Sequence, residues 1–315
     1  MSEKENTTYG GQAVIEGVMF AGKKSFVTAI RRKDNSIEYF STKRKESKVA
    51  KQLKKIPFIR GIVALVQASA NGTKHLNFAS EKYDVDPEED NKVEEKEESK
   101  LAMVLGIGVI GVLSFLFGKT IFTLTPVFIA ELFSPIVSGK VGQVLLEGLF
   151  KLILLLLYIY FLSLTPLIRR LFQYHGAEHK VINAYENGVP LTVEDVQKQS
   201  RLHYRCGSSF ILFSVLVGIF VYMGVDINPL WWRIVNRLLL LPVVIGVSFE
   251  VLQLTNKVRD IPVLKVLGYP GLWLQLLTTK EPDDEQVEVA ICSFEKVLET
   301  DQAKGGIQVE QVASS

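Results

Sequence analysis

The stretch KLILLLLYIYFLSLTPLIRRLFQYHGAEHK, residues 151–180, joins a long apolar run to a polar segment with two histidines. Residues 152–168 contain no charged side chain. Thr165-Pro166 is a helix start, since Thr favours the N-cap and Pro the first helical position. Gly188 is the next strong helix stop. We therefore predict an apolar membrane helix followed directly by one helix of twenty-odd residues.

The apolar content of the chain is high for a soluble protein. Hydrophobic residues make up 48% of the 315 residues, and the excess is concentrated in runs long enough to suggest membrane crossing. We predict a mainly α, polytopic membrane protein. Its membrane domain, residues 101–255, has about four transmembrane helices, at 101–130, 143–165, 207–226 and 231–254.

The distribution of basic residues predicts the orientation of these spans. Between Lys23 and Arg60 there are 13 Lys or Arg residues against three acids, and residues 166–206 are also basic. The connections near residues 134–140 and 226–230 carry few charges. The positive-inside rule then puts both termini and the histidine segment on the cytoplasmic side. The N-terminus lacks an apolar run typical of a cleaved signal.

The parts outside the spans have distinct compositions. Two β-rich runs around Asp34-Asn35-Ser36 predict a hairpin, and the apolar stretch 56–70 is too short to span, which favours an interfacial helix. The other predicted regions are a cytosolic and interfacial N-terminal region at 1–80, an acidic linker at 81–100, a cytosolic C-terminal region with an amphipathic helix at 256–301, and a disordered tail at 302–315.

The histidine segment has the spacing of a metal site. His175 and His179 are four residues apart, so on a helix both imidazoles project from one face and can share one ion. Glu178 lies beside them and completes an H-x-x-E-H pattern, in which the glutamate serves as general base. Gly176 between them permits close approach of another backbone. Hydrogen bonding of the imidazoles to headgroups or tyrosines is the alternative.

Two further candidate ligands follow shortly after this helix. His203 and Cys206 lie where the third span begins, on the same predicted side of the membrane. With Cys292 as the other cysteine, and a reducing cytoplasm, a disulfide is not expected. A catalytic zinc site needs three protein ligands and an open position, whereas four ligands, His203 and Cys206 both included, would indicate a structural site. The number of ligands therefore decides the function.

Three polar residues are possible accessories to this site. Glu250 follows twelve uncharged residues in the fourth span, and either completes the metal site or pairs with Arg259 or Lys257. Gln12 and Glu16 lie in a glycine-rich opening that lacks the spacing of a nucleotide loop. We interpret this opening as a turn packed against the membrane part, or Glu16 as a ligand or polar anchor.

Four long motifs carry a resemblance to a known family. They are GGQAVIEGVMF at 10–20, YHGAEHKVINAYE at 174–186, HYRCGSSF at 203–210 and GLWLQLLTTKEPDDEQVEVAI at 271–291. With these, the chain resembles the YqhQ-like family of bacterial membrane proteins, a domain of unknown function labelled a predicted metal-dependent enzyme. The resemblance implies a multi-pass protein of the bacterial cytoplasmic membrane.

Three classes of function are compatible with these features. The first is a membrane-embedded hydrolase in which His175, His179 and His203 or Cys206 hold a divalent transition metal, zinc by ligand type, and Glu178 activates water. The second is a non-enzymatic factor for membrane-protein biogenesis or scaffolding, with a structural metal. The third is a transporter or channel. The expected partners are the lipid bilayer and a membrane-protein complex or second copy, without specific nucleic-acid binding.

Overall fold

The computed structural model describes residues 9–45, 47–87, 118 and 121–303. Most of the predicted first span, most of the acidic linker and almost all of the predicted tail lie outside these ranges. The described part is mainly helical with one β-sheet. This agrees with the predicted mainly α class and its N-terminal hairpin.

The N-terminal sheet is a four-stranded antiparallel meander in the order β1-β2-β3-β4. Its strands are β1 (Gly10–Val14), β2 (Gly17–Ala21), β3 (Ser25–Arg31) and β4 (Ile37–Lys43). The predicted hairpin is β3–β4, and Asp34 Oδ1 accepts the Ser36 N–H at 3.0 Å in its turn. The glycine-rich opening is not only a turn: it forms the β1–β2 hairpin, with Glu16 at φ 53° in the connection.

The helices follow the sheet in a long series. They are α1 (Lys48–Leu53), α2 (Ile59–Lys82), α3 (Ile121–Leu132), α4 (Lys140–Ser163), α5 (Pro166–Glu186), α6 (Val193–Gln197), α7 (Gly207–Met223), α8 (Leu230–Leu239), α9 (Leu241–Lys257), α10 (Tyr269–Thr278) and α11 (Asp284–Gln302). A 3-10 turn, Leu264–Gly268, precedes α10. Tyr269-Pro270-Gly271 forms the first turn of α10.

The histidine helix α5 begins and ends close to the predicted residues. Thr165 occupies the N-cap position, but its hydroxyl donates to Leu162 O at 2.8 Å rather than capping the helix. Asn187 is the C-cap, and Gly188 follows at φ +68°, a left-handed conformation that suits glycine. The Pro and Gly signals therefore located the helix, although the Thr side chain does not act as expected.

Helices cover both faces of the sheet. On one face, α5 and α11 form a buried cluster with the sheet that includes Phe20, Ala177 and Phe294. A capping box of Asp283 and Gln286 starts α11. This helix is the predicted amphipathic helix, and it packs on the sheet and on α5. The other face packs on α2. The predicted interfacial helix at 56–70 is thus the first half of a longer helix that packs on the sheet.

The apolar helices form the rest of the described structure. By length and composition, α4 is the one described helix that could cross a bilayer, and the pair α8–α9, bent by 51°, is a second candidate if it counts as one span. Helices α3 and α7 are apolar but shorter. The expectation of four spans is therefore supported for one or two.

A buried ion-pair network joins α4 to α8. Glu147 accepts hydrogen bonds from Arg233 Nε at 3.1 Å and from Arg237 Nε at 2.8 Å. The Arg237 guanidinium also lies 4.2 Å from the ring centroid of Tyr222. All three charged side chains are buried. Because the residues around Arg233 and Arg237 are mostly apolar, the sequence alone did not indicate this network.

Candidate metal centre

A cavity of about 470 Å³ lies between strand β1, helices α2 and α5, and the segment that leads into α7. Residues 9–13 form one wall, and Ala68 of α2 contributes to another. Six of the residues singled out in the sequence line this cavity together: Gln12, His175, Glu178, His179, His203 and Cys206. The structure therefore brings both halves of the predicted site into one place.

Both histidines of α5 are oriented by backbone carbonyls. His175 Nδ1 lies 2.8 Å from Thr278 O, and His179 Nδ1 lies 2.6 Å from Arg201 O. A carbonyl oxygen only accepts hydrogen bonds, so the proton of each neutral imidazole is on Nδ1. Each Nε2 is then left with a free lone pair. This is the arrangement that usually orients histidines that bind a metal.

Cys206 completes a group of three possible ligands. Its Sγ lies 3.2 Å from His175 Nε2, and ligand atoms of His175, His179 and Cys206 all lie within 4.8 Å of one another. We refer to these residues as the three-ligand cluster. Cys206 is the N-cap of α7 and its sulfur accepts the Ser208 N–H at 3.4 Å. The sulfur therefore lies at the N-terminal end of the α7 helix dipole.

Glu178 is buried in the same cavity, against strand β1. Burial raises the pKa of its carboxyl to about 7, against the opposing effects of His175 and of a hydrogen bond from the Gly11 N–H. A Cβ on Gly11 would lie 2.8 Å from Glu178 Cγ, so only glycine leaves room for this side chain. A carboxyl with a pKa near 7 can take up and release a proton at neutral pH.

Close packing around α5 fixes the histidine face. A Cβ on Gly176 would collide with the carbonyl oxygen of Lys280. The predicted close approach of another backbone at Gly176 is therefore confirmed, and the approaching segment is the one that follows α10. Thr278, the last residue of α10, comes just before that segment and places its carbonyl oxygen beside His175 Nδ1. No sequence signal pointed to Thr278 or Arg201, because they act through backbone carbonyl oxygens.

His203 does not join the three-ligand cluster. Its Nε2 lies 3.5 Å from Glu186 Oε2, and its backbone N–H donates to Gln275 Oε1 at 2.8 Å. Glu186 also pairs with Arg205 and, at 3.3 Å, with Arg259 Nη1. His203 thus lies at the cavity wall beside the charged group formed by Glu186, Arg205 and Arg259. Its sequence proximity to Cys206 made it look equivalent to that residue.

The three accessory candidates have different positions. Gln12 lines the cavity and packs on Gly72 of α2. Glu16 lies away from the cluster. It pairs with Arg170 and accepts a hydrogen bond from the Tyr174 hydroxyl at 3.1 Å. It is therefore a polar anchor and not a member of the cluster.

Glu250 also lies away from the cluster. It pairs with Arg60, whose Nε lies 2.7 Å from Oε1, and it accepts the Phe58 N–H at 3.1 Å. An ion pair was expected, but with Arg259 or Lys257. Arg259 instead contacts Glu186. The true partner is 190 residues away in the chain, so local sequence could not identify it.

Comparison with known proteins assigns the chain to a family of unknown function. The chain belongs to the family described as "Protein of unknown function (DUF1385)", whose model matches residues 56–300. It is 68% identical over 292 residues to the uncharacterized protein YqhQ of Bacillus subtilis (strain 168), covering 92% of each chain. No solved structure matches the chain. The expected YqhQ-like family of unknown function is confirmed.

Proposed function

We propose that the protein is a metal-dependent hydrolase of the bacterial cytoplasmic membrane, with its site on the cytoplasmic side. The observation that carries this proposal is the orientation of the three-ligand cluster. His175 and His179 keep Nδ1 on backbone carbonyls, which leaves Nε2 as the ring atom available to a metal. The Nε2 of His175 lies 3.2 Å from the Cys206 sulfur. Two imidazoles and one thiolate are a ligand set that suits zinc.

The number of ligands favours catalysis over a structural role. Structural zinc has four protein ligands, whereas catalytic zinc has three and an open position for water or substrate. His203, the candidate fourth ligand, is not one of the residues whose ligand atoms lie within 4.8 Å of one another. Its Nε2 is buried without a hydrogen bond, 3.5 Å from Glu186 Oε2. The cavity of about 470 Å³ at the cluster is large enough for a small-molecule or peptide group.

Glu178 has the properties of the general base. A zinc ion held here would lower the pKa of a bound water to about 7. Glu178 lines the same cavity, and its own pKa of about 7 is close to the pKa of such a water, whose proton it would accept. The Gly11 N–H holds the carboxylate in position. Glu178 would afterwards return that proton to the leaving group.

Exposed apolar surface supports the membrane location. Only 28% of the most apolar window of α4 is buried inside the protein. Its exposed side chains include Leu149, Ile153, Leu157 and Phe161, which suit contact with lipid tails. The basic residues near α5 support a cytoplasmic position for the site. Resistance of the protein to alkaline extraction from membranes, and reporters fused to its termini, test this location and orientation.

Metal content of the purified full-length protein is the direct test of the site. We expect about one zinc per wild-type chain, and loss of that zinc in His179→Ala and Cys206→Ser. Cys292→Ser is the matched control, because Cys292 lies on α11, outside the cluster, and this variant should keep its zinc. Wild-type protein without stoichiometric transition metal would refute the proposal.

A second variant separates the hydrolase from the scaffolding alternative. Glu178→Gln removes the base while it leaves the three ligands in place, so it should keep zinc but fail to complement a strain that lacks the gene. Glu295→Gln, on the exposed face of α11, is its control and should complement. Full complementation by zinc-loaded Glu178→Gln would instead favour a structural metal in a non-enzymatic factor.

A further inference from the structure

The free edge of strand β1 opens into the cavity that holds the three-ligand cluster. In the described sheet β1 pairs only with β2, so its other edge has no strand partner. We infer that this edge binds an extended peptide, and that the substrate is a peptide amide placed as an added strand. The inference rests on the proposed hydrolase and names its substrate class.

The direction of one N–H shows which backbone groups face the cavity. The Gly11 N–H bonds to Glu178, so it is turned away from β2. Groups of an antiparallel strand alternate between its two sides, and Ala13 therefore faces the same way as Gly11. Within the described ranges, no backbone group outside the sheet hydrogen-bonds to Ala13. Its N–H and C=O are available to a peptide backbone.

The edge is open on one side of Glu178. That side chain takes the space beside Gly11, whereas a Cβ on Gly10 would meet nothing within 4 Å. Strand addition uses backbone hydrogen bonds for affinity and pockets for alternate side chains. Leu171, Phe172 and Ile182 of α5 line the same cavity and offer apolar contacts for such side chains. The wall therefore favours an apolar peptide.

The reaction that follows is amide hydrolysis with water as the second reactant. Glu178 takes a proton from the water, whose oxygen forms a bond to the carbonyl carbon. The C–N bond then breaks, and the amine nitrogen receives the proton from Glu178. The products are a carboxylic acid and an amine, with no oxidation or reduction. Peptide binding along β1 would bring the scissile carbonyl to the cluster.

The test uses hydroxamates, which bind active-site zinc, with zinc-loaded full-length protein in detergent. Acetohydroxamate reports the metal site alone. Acetyl-Leu-Ala hydroxamate adds a peptide backbone, and octanohydroxamate adds a flexible apolar chain. We expect the peptide compound to bind at least about tenfold more tightly than either of the others. Methylation of its Leu nitrogen should remove most of that advantage.

Variants of Ala13 test the same edge from the protein side. Ala13→Pro removes the outward N–H at an edge position where proline is tolerated, and should weaken only the peptide compound. Ala13→Gly keeps the N–H and should bind as the wild type does. Octanohydroxamate binding as tightly as the peptide would indicate an acyl chain and overturn the inference. Unchanged affinity of the N-methylated peptide compound would also overturn the inference. If Ala13→Pro does not fold, the comparison of these ligands on the wild-type protein still tests the inference.

The two proposals fail in different ways. If acetohydroxamate does not bind zinc-loaded protein, or no zinc is held, the proposed hydrolase is wrong. If acetohydroxamate binds and the peptide compound adds nothing, the metal site stands and the peptide edge is wrong.

Discussion

The backbone of Gly11 and the carboxyl group of Glu178 fit together without room for one more carbon atom. The Gly11 N–H donates to Glu178, and a Cβ at residue 11 would lie 2.8 Å from Glu178 Cγ and 2.8 Å from the Met19 carbonyl oxygen. The β1–β2 hairpin therefore sets the position of the proposed base, although the two residues are far apart in the chain.

Substitution of Gly11 should destabilise the protein, whereas substitution of its neighbour should not. In Gly11→Ala the new methyl group overlaps with Glu178 and with the Met19 carbonyl. We expect a cost of about 1–3 kcal/mol in the free energy of unfolding. Gly10→Ala is the matched control, since its Cβ would meet nothing within 4 Å. Chemical denaturation of both variants checks this, and equal stabilities would contradict it.

Loss of the negative charge between two buried arginines should be more costly still. Glu147→Gln leaves Arg233 and Arg237 buried without their shared carboxylate. Breaking a buried ion pair in this way costs about 3–5 kcal/mol. Glu131→Gln, which removes a partly exposed partner of Arg233, should cost about 1 kcal/mol or less. Thermal unfolding in detergent would reveal the difference, and similar melting temperatures would refute it.

Stability should fall in mild acid because of His75. This side chain is fully buried on α2, within hydrogen-bonding distance of the Thr28 and Thr42 hydroxyls, at 2.7 and 2.9 Å. Burial lowers its pKa from 6.5 to about 4, helped by Lys74. Below about pH 6.5 the unfolded chain binds a proton that the native protein does not, so stability decreases until about pH 4.

The size of this acid effect follows from the shift. A difference of one pKa unit corresponds to about 1.4 kcal/mol, so the full loss attributable to His75 is about 3 kcal/mol. His75→Gln keeps hydrogen-bonding groups but does not titrate. Its free energy of unfolding should therefore depend less on pH between about 6.5 and 4 than that of the wild type. Identical pH profiles for the two proteins would show that His75 is not responsible.

Removal of zinc should lower the thermal stability of the wild type. An ion that binds only the native state stabilises it by about 2.7 kcal/mol when its free concentration is 100 times its dissociation constant. Treatment with a chelator should therefore lower the melting temperature of the wild type and of Cys292→Ser. Cys206→Ser should respond little, and a Cys206→Ser protein that responds like the wild type would argue against a cysteine ligand.

Local sequence signals located the histidine helix and the three possible ligands that lie together in the structure. Pro166 and Gly188 bracket α5, and four-residue spacing is sufficient to put His175 and His179 on one face. Cys206 was also found, because it lies at a helix start on the same side. These features depend on a few neighbouring residues and on regular helix geometry, so a single sequence contains them.

Pairings between residues far apart in the chain could not be predicted from local signals of this kind. The partners of Glu250 and Glu16 are 190 and 154 residues away, and neither could be chosen from charge patterns nearby. The β1–β2 hairpin was missed because its glycines lower strand propensity, while its pairing with the rest of the sheet compensates. The glycines that weakened the prediction are the residues that make room for Glu178.

The His175 ring lies between the start of one apolar helix, α7, and the last residue of another, α10. Cys206, the N-cap of α7, lies 3.2 Å from Nε2, and Thr278, the last residue of α10, has its carbonyl oxygen 2.8 Å from Nδ1. A change in the tilt of either helix would therefore alter a ligand distance or an imidazole orientation directly. In the proposed membrane location, the thickness and lateral pressure of the lipid would then affect the affinity of the proposed metal site.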